Sequence, residues 1–251
     1  MMYAIVKYIS KPVMNDPWFI EALPGIGNVG KLAGDCLAQS LGAERFAIVY
    51  SENFPPQVVP DRDCVVHMAC NELWHAKTPS GRDIIFLRGD YQGSTPEGQF
   101  FLAQDIMDVL LAFGVSRIIT LGGYGTGQVS RDLHVFGAVS RIELKKELEK
   151  AGVTFNPGQP AAGIVGAAGA LLGLGQINSI DSFCLMGETS GYFADSRSAL
   201  NVVGVLKKIL KLRKVDTKVL TEEAKKLDEL MNQAEKQAEA PQERDELSYI
   251  G

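Results

Sequence analysis

What this 251-residue chain has little of narrows its chemistry first. It holds three histidines (His67, His75, His134) and four cysteines (Cys36, Cys64, Cys70, Cys184), and no two cysteines form a C-x-x-C pair. A closed zinc site draws its ligands from these residue types at short, characteristic spacings, so no metal is expected. The one local cluster, Cys64, His67 and Cys70, divides on a strand. If 64–76 is a strand, Cys64 and Cys70 share a face with Met68 and His67 points to the other. Buried thiols in a reducing compartment account for the cysteines without a ligand. Apolar runs stop short of the roughly 18–20 residues a membrane span needs. The opening Met1-Met2-Tyr3-Ala4 lacks a basic n-region, so no signal peptide is expected and the protein is read as cytoplasmic. Basic stripes are missing too, and with a net charge of −5 nucleic acid is not expected as a partner. Neither a G-x-S-x-G elbow nor a Cys–His pairing with local context is found, so no catalytic residue and no cofactor is assigned.

What is present is an ordinary globular composition, 46% hydrophobic and 22% charged. Strand and helix patterns alternate. Strands are expected over 3–9, 18–23, 46–50, 64–75, 83–88, 116–121 and 180–186. Helices are expected over 28–41, from Thr95-Pro96-Glu97 to a stop at Gly114, over 142–151 and over 196–212. Threonine at a cap followed by proline at the first helical position marks the second helix most clearly. The glycine-rich 161–175 segment suits a helix closely approached by other backbone. This order implies an α/β fold, a mainly parallel sheet covered by helices.

The acidity is uneven. Residues 214–251 carry ten acids and six bases, so the preceding 213 residues are nearly neutral. Leu220, Ala224, Leu227, Met231, Ala234 and Ala238 form a thin heptad stripe that packs on the body or pairs with another subunit. Pro241 ends it. The expected organisation is a core domain over 1–213, a helical extension over 214–240 and a flexible tail over 241–251.

Two glycine stretches are candidate ligand turns. Gly25-Ile26-Gly27-Asn28-Val29-Gly30 follows a strand and opens a helix, as a dinucleotide fingerprint does, with Glu52 at a fitting distance. With Lys31 it nearly makes a P-loop, but Leu32 stands where a hydroxyl would ligate magnesium. The same glycines equally fit a tight turn that lets a helix lie close on a sheet. Gly122 and Gly123 begin a second stretch, read as a loop after a strand, where open α/β sheets place ligands. Arg88 and Asp90 stand at another strand end, as an anion ligand and a carboxylate or simply as solvated or paired charges.

Taken in order, several stretches resemble the proteasome assembly chaperone family, in its archaeal form. They are the 25–30 turn, Arg88-Gly89-Asp90-Tyr91-Gln92, Leu121-Gly122-Gly123-Tyr124, Gly169-Ala170-Leu171-Leu172-Gly173, Gly187-Glu188-Thr189-Ser190-Gly191-Tyr192 and Asp195-Ser196-Arg197-Ser198-Ala199. The resemblance implies a sheet like that of purine nucleoside phosphorylases, without an established catalytic site. It implies a homo-oligomer that helps assemble proteasome core α subunits without ATP. Contact with the core is attributed in the family to a hydrophobic–tyrosine–any-residue ending. Here the sequence closes Leu247-Ser248-Tyr249-Ile250-Gly251, with the tyrosine third from the end and a serine before it. Leu247, Tyr249, Ile250 and Gly251 are the partner-binding residues this implies. The alternatives are a nucleotide- or nucleoside-binding enzyme using the 25–30 turn, and a scaffold whose heptad stripe serves self-association.

Overall fold

The structure, a computed structural model, describes residues 4–160 and 163–239, with side chains as far as Gln233. Ten strands and six α-helices are found among them: β1 (Ala4–Tyr8), β2 (Trp18–Ala22), α1 (Val29–Ser40), β3 (Glu44–Ser51), β4 (Val58–Pro60), β5 (Val66–Met68), β6 (Asn71–Lys77), β7 (Asp83–Gly89), α2 (Pro96–Ala112), β8 (Arg117–Gly125), β9 (Val135–Val139), α3 (Lys145–Ala151), α4 (Gly166–Ile177), β10 (Asp181–Thr189), α5 (Ser196–Ile209) and α6 (Lys218–Glu239).

Eight strands make one mixed sheet in the order β1-β3-β6-β7-β2-β8-β10-β9. Its centre, β7-β2-β8-β10, is parallel, and the pairs outside it are antiparallel. Strands buried on both faces read as continuous apolar runs, and Ile84-Ile85-Phe86-Leu87 and Ile118-Ile119 do so. Two cores result. On one face α1, α3 and α5 pack against Ile20, Ile84, Phe86 and Leu185; on the other, α2 and α4 pack against Phe19, Ile85, Leu87 and Ile118. The expected helix-covered α/β sheet is therefore present, with α6 coming after it in the chain.

Local chemistry explains the element ends. The Thr95 side chain accepts from the Gly98 amide at 3.0 Å and Pro96 opens α2, while Asp195 accepts from the Ser198 amide at 3.2 Å to cap α5. Gly152, at φ 101°, stops α3.

Two sequence expectations are corrected. The single strand over 64–75 is interrupted: β4 and β5 pair as a separate two-stranded hairpin, and β6 starts at Asn71. The cause is a turn built on Asp61, whose carboxylate accepts from the Asp63 and Val65 amides at 2.9 Å each, with Cys64 left-handed at φ 61°. Cys64 and Cys70 consequently do not share a strand. The loop expected from Gly122 onward is also strand. β8 runs to Gly125, with Gly122, Gly123 and Gly125 opposite Met186, Gly187 and Thr189 of β10.

Candidate functional site

From β2 the chain passes to α1 on one face of the sheet, and from β7 to α2 on the other. Neighbouring parallel strands whose connections leave to opposite faces open a crevice at their carboxyl ends, the usual ligand position in such sheets. A cavity of about 850 Å³ lies there. Its floor comes from β2, β8 and β10, and its rim from residues 90–92 after β7 and from 159–160 and 163–166 before and into α4.

Register puts Glu21 beside Thr120, and Thr120 beside Cys184, so the three form a row across the sheet on the face of α2 and α4. Glu21 and Cys184 line the cavity. The Glu21 side chain is 1% exposed; its Oε1 accepts from the Leu23 amide at 3.0 Å and its Oε2 from the Leu121 amide at 3.2 Å. Burial raises its pKa from the ordinary 4.5 to about 7, against the pull of those two amides. Burial likewise pushes the Cys184 thiol up to about 12, so it is protonated and inert as a nucleophile at neutral pH.

The two glycine stretches do meet. Gly25, Gly122 and Gly123 line the cavity, whereas Gly27, Asn28 and Gly30 are not among its lining residues. The latter three have packing roles. Gly27 and Asn28 are left-handed at φ 60° and 50°, forming the tight turn into α1. A Cβ on Gly30 would lie 2.5 Å from the Leu121 carbonyl oxygen, and one on Gly27 2.9 Å from Thr189 Oγ1. A Cβ on Gly123 would collide with the Ile26 carbonyl oxygen. The glycines thus bring the turn and α1 into backbone contact with β8, and the turn against the Thr189 side chain of β10. Lys31, the P-loop-like lysine, is committed to the Gly89 carbonyl at 3.0 Å, Asp90 at 3.1 Å and Asp35 at 3.2 Å. Arg88 pairs with Asp35 at 2.6 Å and stacks 4.6 Å from the Trp74 ring. Both strand-end charges are paired.

A second concavity, about 520 Å³, lies where α6 crosses α5. Ala224 of the heptad stripe is buried there and Met231 half-buried; Leu220 is buried beside Leu32 and Cys36 of α1, and Leu227 is half-buried. Arg197, 11% exposed, bridges Asp195 at 3.3 Å and Asp228 of α6 at 3.4 Å. Leu247, Tyr249, Ile250 and Gly251 lie outside the described residues. Among the described residues, no group of three or more His, Cys, Asp or Glu side chains is placed to hold a metal ion. No helix there is long and apolar enough to cross a membrane.

Glu21 escaped the sequence reading. Its signal was a lone acid inside Trp18-Phe19-Ile20-Glu21-Ala22-Leu23, a run whose other members suit a strand buried on both faces.

Comparison with known proteins gives a consistent result. Pyrococcus furiosus PbaB, an archaeal proteasome activator, is 36% identical, with a TM-score of 0.86 over 94% of this chain and 100% of that one. Pyrococcus furiosus PbaA, an archaeal homolog of proteasome-assembly chaperone, is 29% identical, with a TM-score of 0.76 over 93% of each chain. An uncharacterized Methanocaldococcus jannaschii protein is 34% identical over the full length of both chains. The PAC2 family pattern matches residues 19–235, and the chain belongs to the PAC2 family.

Proposed function

We infer that this chain works with the proteasome, as an ATP-independent chaperone or scaffold that binds core α subunits and assists their assembly. The observation that carries the reading is the likeness to PbaB and PbaA along nearly the whole chain, at 36% and 29% identity. It rests on the protein as a whole, because a shared fold alone does not give function. In this reading residues 1–213 are the body, the extension from 214 is an arm rooted on α5, and Leu247, Tyr249, Ile250 and Gly251 dock into the partner. A buried aromatic anchor carries much of the affinity in contacts of this kind. Self-association belongs to the same reading. The β4–β5 hairpin supports it with an exposed apolar face that includes Val58, Val66 and Met68.

The greater likeness to PbaB favours a second reading, in which the chain acts on the assembled core as an activator. One experiment separates the two. Purified α subunits and assembled core particles are each incubated with the protein, and capture and peptide hydrolysis are both measured. Capture of free α subunits with faster core assembly supports the chaperone. Capture of assembled cores with raised peptide hydrolysis supports the activator. Failure to capture either removes both.

A further inference from the structure

The carboxyl-end cavity has a chemistry that proteasome docking does not use. Its walls are mostly apolar, with Leu23, Ile26, Ile164, Val165 and Met186 among them, and its 850 Å³ falls within the roughly 300–1,000 Å³ typical of small-molecule sites. The charged side chains lining it, among the described residues, are both acids, Glu21 and Asp90. Lysine, arginine and histidine do not occur in that lining among the described residues, so a phosphate would meet like charge there. Asp90 is already paired with Lys31 at 3.1 Å, and its side chain is 77% exposed. Glu21 is different. It is buried, its hydrogen bonds come from two neutral backbone amides, and its salt-bridge partner is absent among the described residues. Two lone-pair positions of an ionised carboxylate remain after those bonds.

We propose that this cavity binds a small molecule with an apolar body and a cationic amine head, the amine seated on the Glu21 carboxylate. The apolar body takes the place of water along the walls, and the ammonium supplies the counter-charge that a buried carboxylate otherwise lacks. Seating the amine requires Glu21 to be ionised, so binding below neutral pH releases a proton. The titratable groups that line the cavity with Glu21 are Cys184 from β10, Tyr124 from β8, and Asp90 and Tyr91 after β7, with Lys31 of α1 held on Asp90. Cys184 stays a neutral thiol throughout, which leaves Glu21 to set the pH response between 6 and 8.

The test is titration calorimetry on the full chain with 2-phenylethylamine, its neutral isostere 2-phenylethanol, and adenosine monophosphate. The amine is expected to bind about tenfold tighter at pH 8 than at pH 6, taking up the ionised form of a group titrating near 7. The alcohol is expected to bind more weakly and without that dependence, and the nucleotide not at all. Glu21→Gln should abolish the pH dependence and the preference for the amine. Should that variant fail to fold, Gly122→Val gives a second check from the neighbouring strand of the floor. A Cβ there meets only Met186 Cγ, at 3.8 Å, and valine suits a strand, so its methyls enter the cavity beside Glu21 without backbone strain and amine binding should weaken about tenfold. Equal affinity for alcohol and amine, tighter binding of the nucleotide, absence of heat with the amine, or amine affinity unchanged in Gly122→Val would each overturn the proposal.

Discussion

The seam between α1 and the sheet and the seam between α6 and α5 are built on opposite plans. Along α1, Gly30 meets the backbone of Leu121 and Gly34 meets Ala22 so closely that neither tolerates a Cβ. Along α6, contact is made by the side chains of Leu220 and Ala224, by the Arg197–Asp228 pair and by a bond from Arg131 to Asn232, while Val219 and Leu230 stand exposed. Backbone contact leaves one arrangement available and transmits any misfit directly. Side-chain contact along a helix is softer, because side chains can shift where backbone cannot. A rigid seam at α1 beside a softer one at α6 suits the docking role proposed above.

The sharpest way to break that contrast is at the first seam. Gly30→Val should cost about 3 kcal/mol, because the Leu121 carbonyl is backbone and cannot move aside cheaply. Gly25→Ala, five residues earlier, meets nothing within 4 Å and should change the urea midpoint little. Equal effects from the two would show that the glycines serve flexibility instead of close approach.

Next in size is the buried carboxyl on the other face of the sheet. Glu21 has its folded-state pKa raised from 4.5 to about 7, so folding favours its protonated form. Its penalty is absent below pH 4.5, grows as pH rises through that window, and reaches about 3 kcal/mol above pH 7. Urea unfolding at a series of pH values should therefore show Glu21 working against stability toward neutral pH. Glu21→Gln should remove that component, and an unchanged pH profile in the variant would contradict the assignment.

At the second seam, Leu220→Ala should cost about 2 kcal/mol and do so locally. Hydrogen exchange should rise along α6 while the protection of α1 and α5 is kept; a global loss of protection would mean the arm is part of the body. The smallest effect is expected from Asp228→Ala, below about 0.5 kcal/mol, since that carboxylate is 54% exposed and its pair with Arg197 is long at 3.4 Å.

Particular residues show what the sequence made legible. Thr95-Pro96 announced α2 because a cap and a first-turn proline have one common meaning. The alternation of apolar runs announced the sheet and its helices. Gly122 and Gly123 misled, because glycine marks a turn and a close approach with the same letter, and only the path of the 26–28 turn across β8 decides between them. The β4–β5 hairpin was hidden because its strands are only three residues long, and the Asp61 turn between them closes through a left-handed Cys64, a residue type without a turn signature. Glu21 was visible as a lone acid in an apolar strand, but the cavity beneath it forms from segments more than a hundred residues apart. No local pattern could assemble that.

Binding of proteasome core subunits is tested most directly by capture of purified α subunits on the immobilised full-length protein and on a copy lacking residues 247–251. Retention by the full-length protein, reduced in the shortened copy and in Tyr249→Ala, is the predicted result. Retention unaffected by the deletion would move the interface to the body, and no retention by the full-length protein would contradict the account.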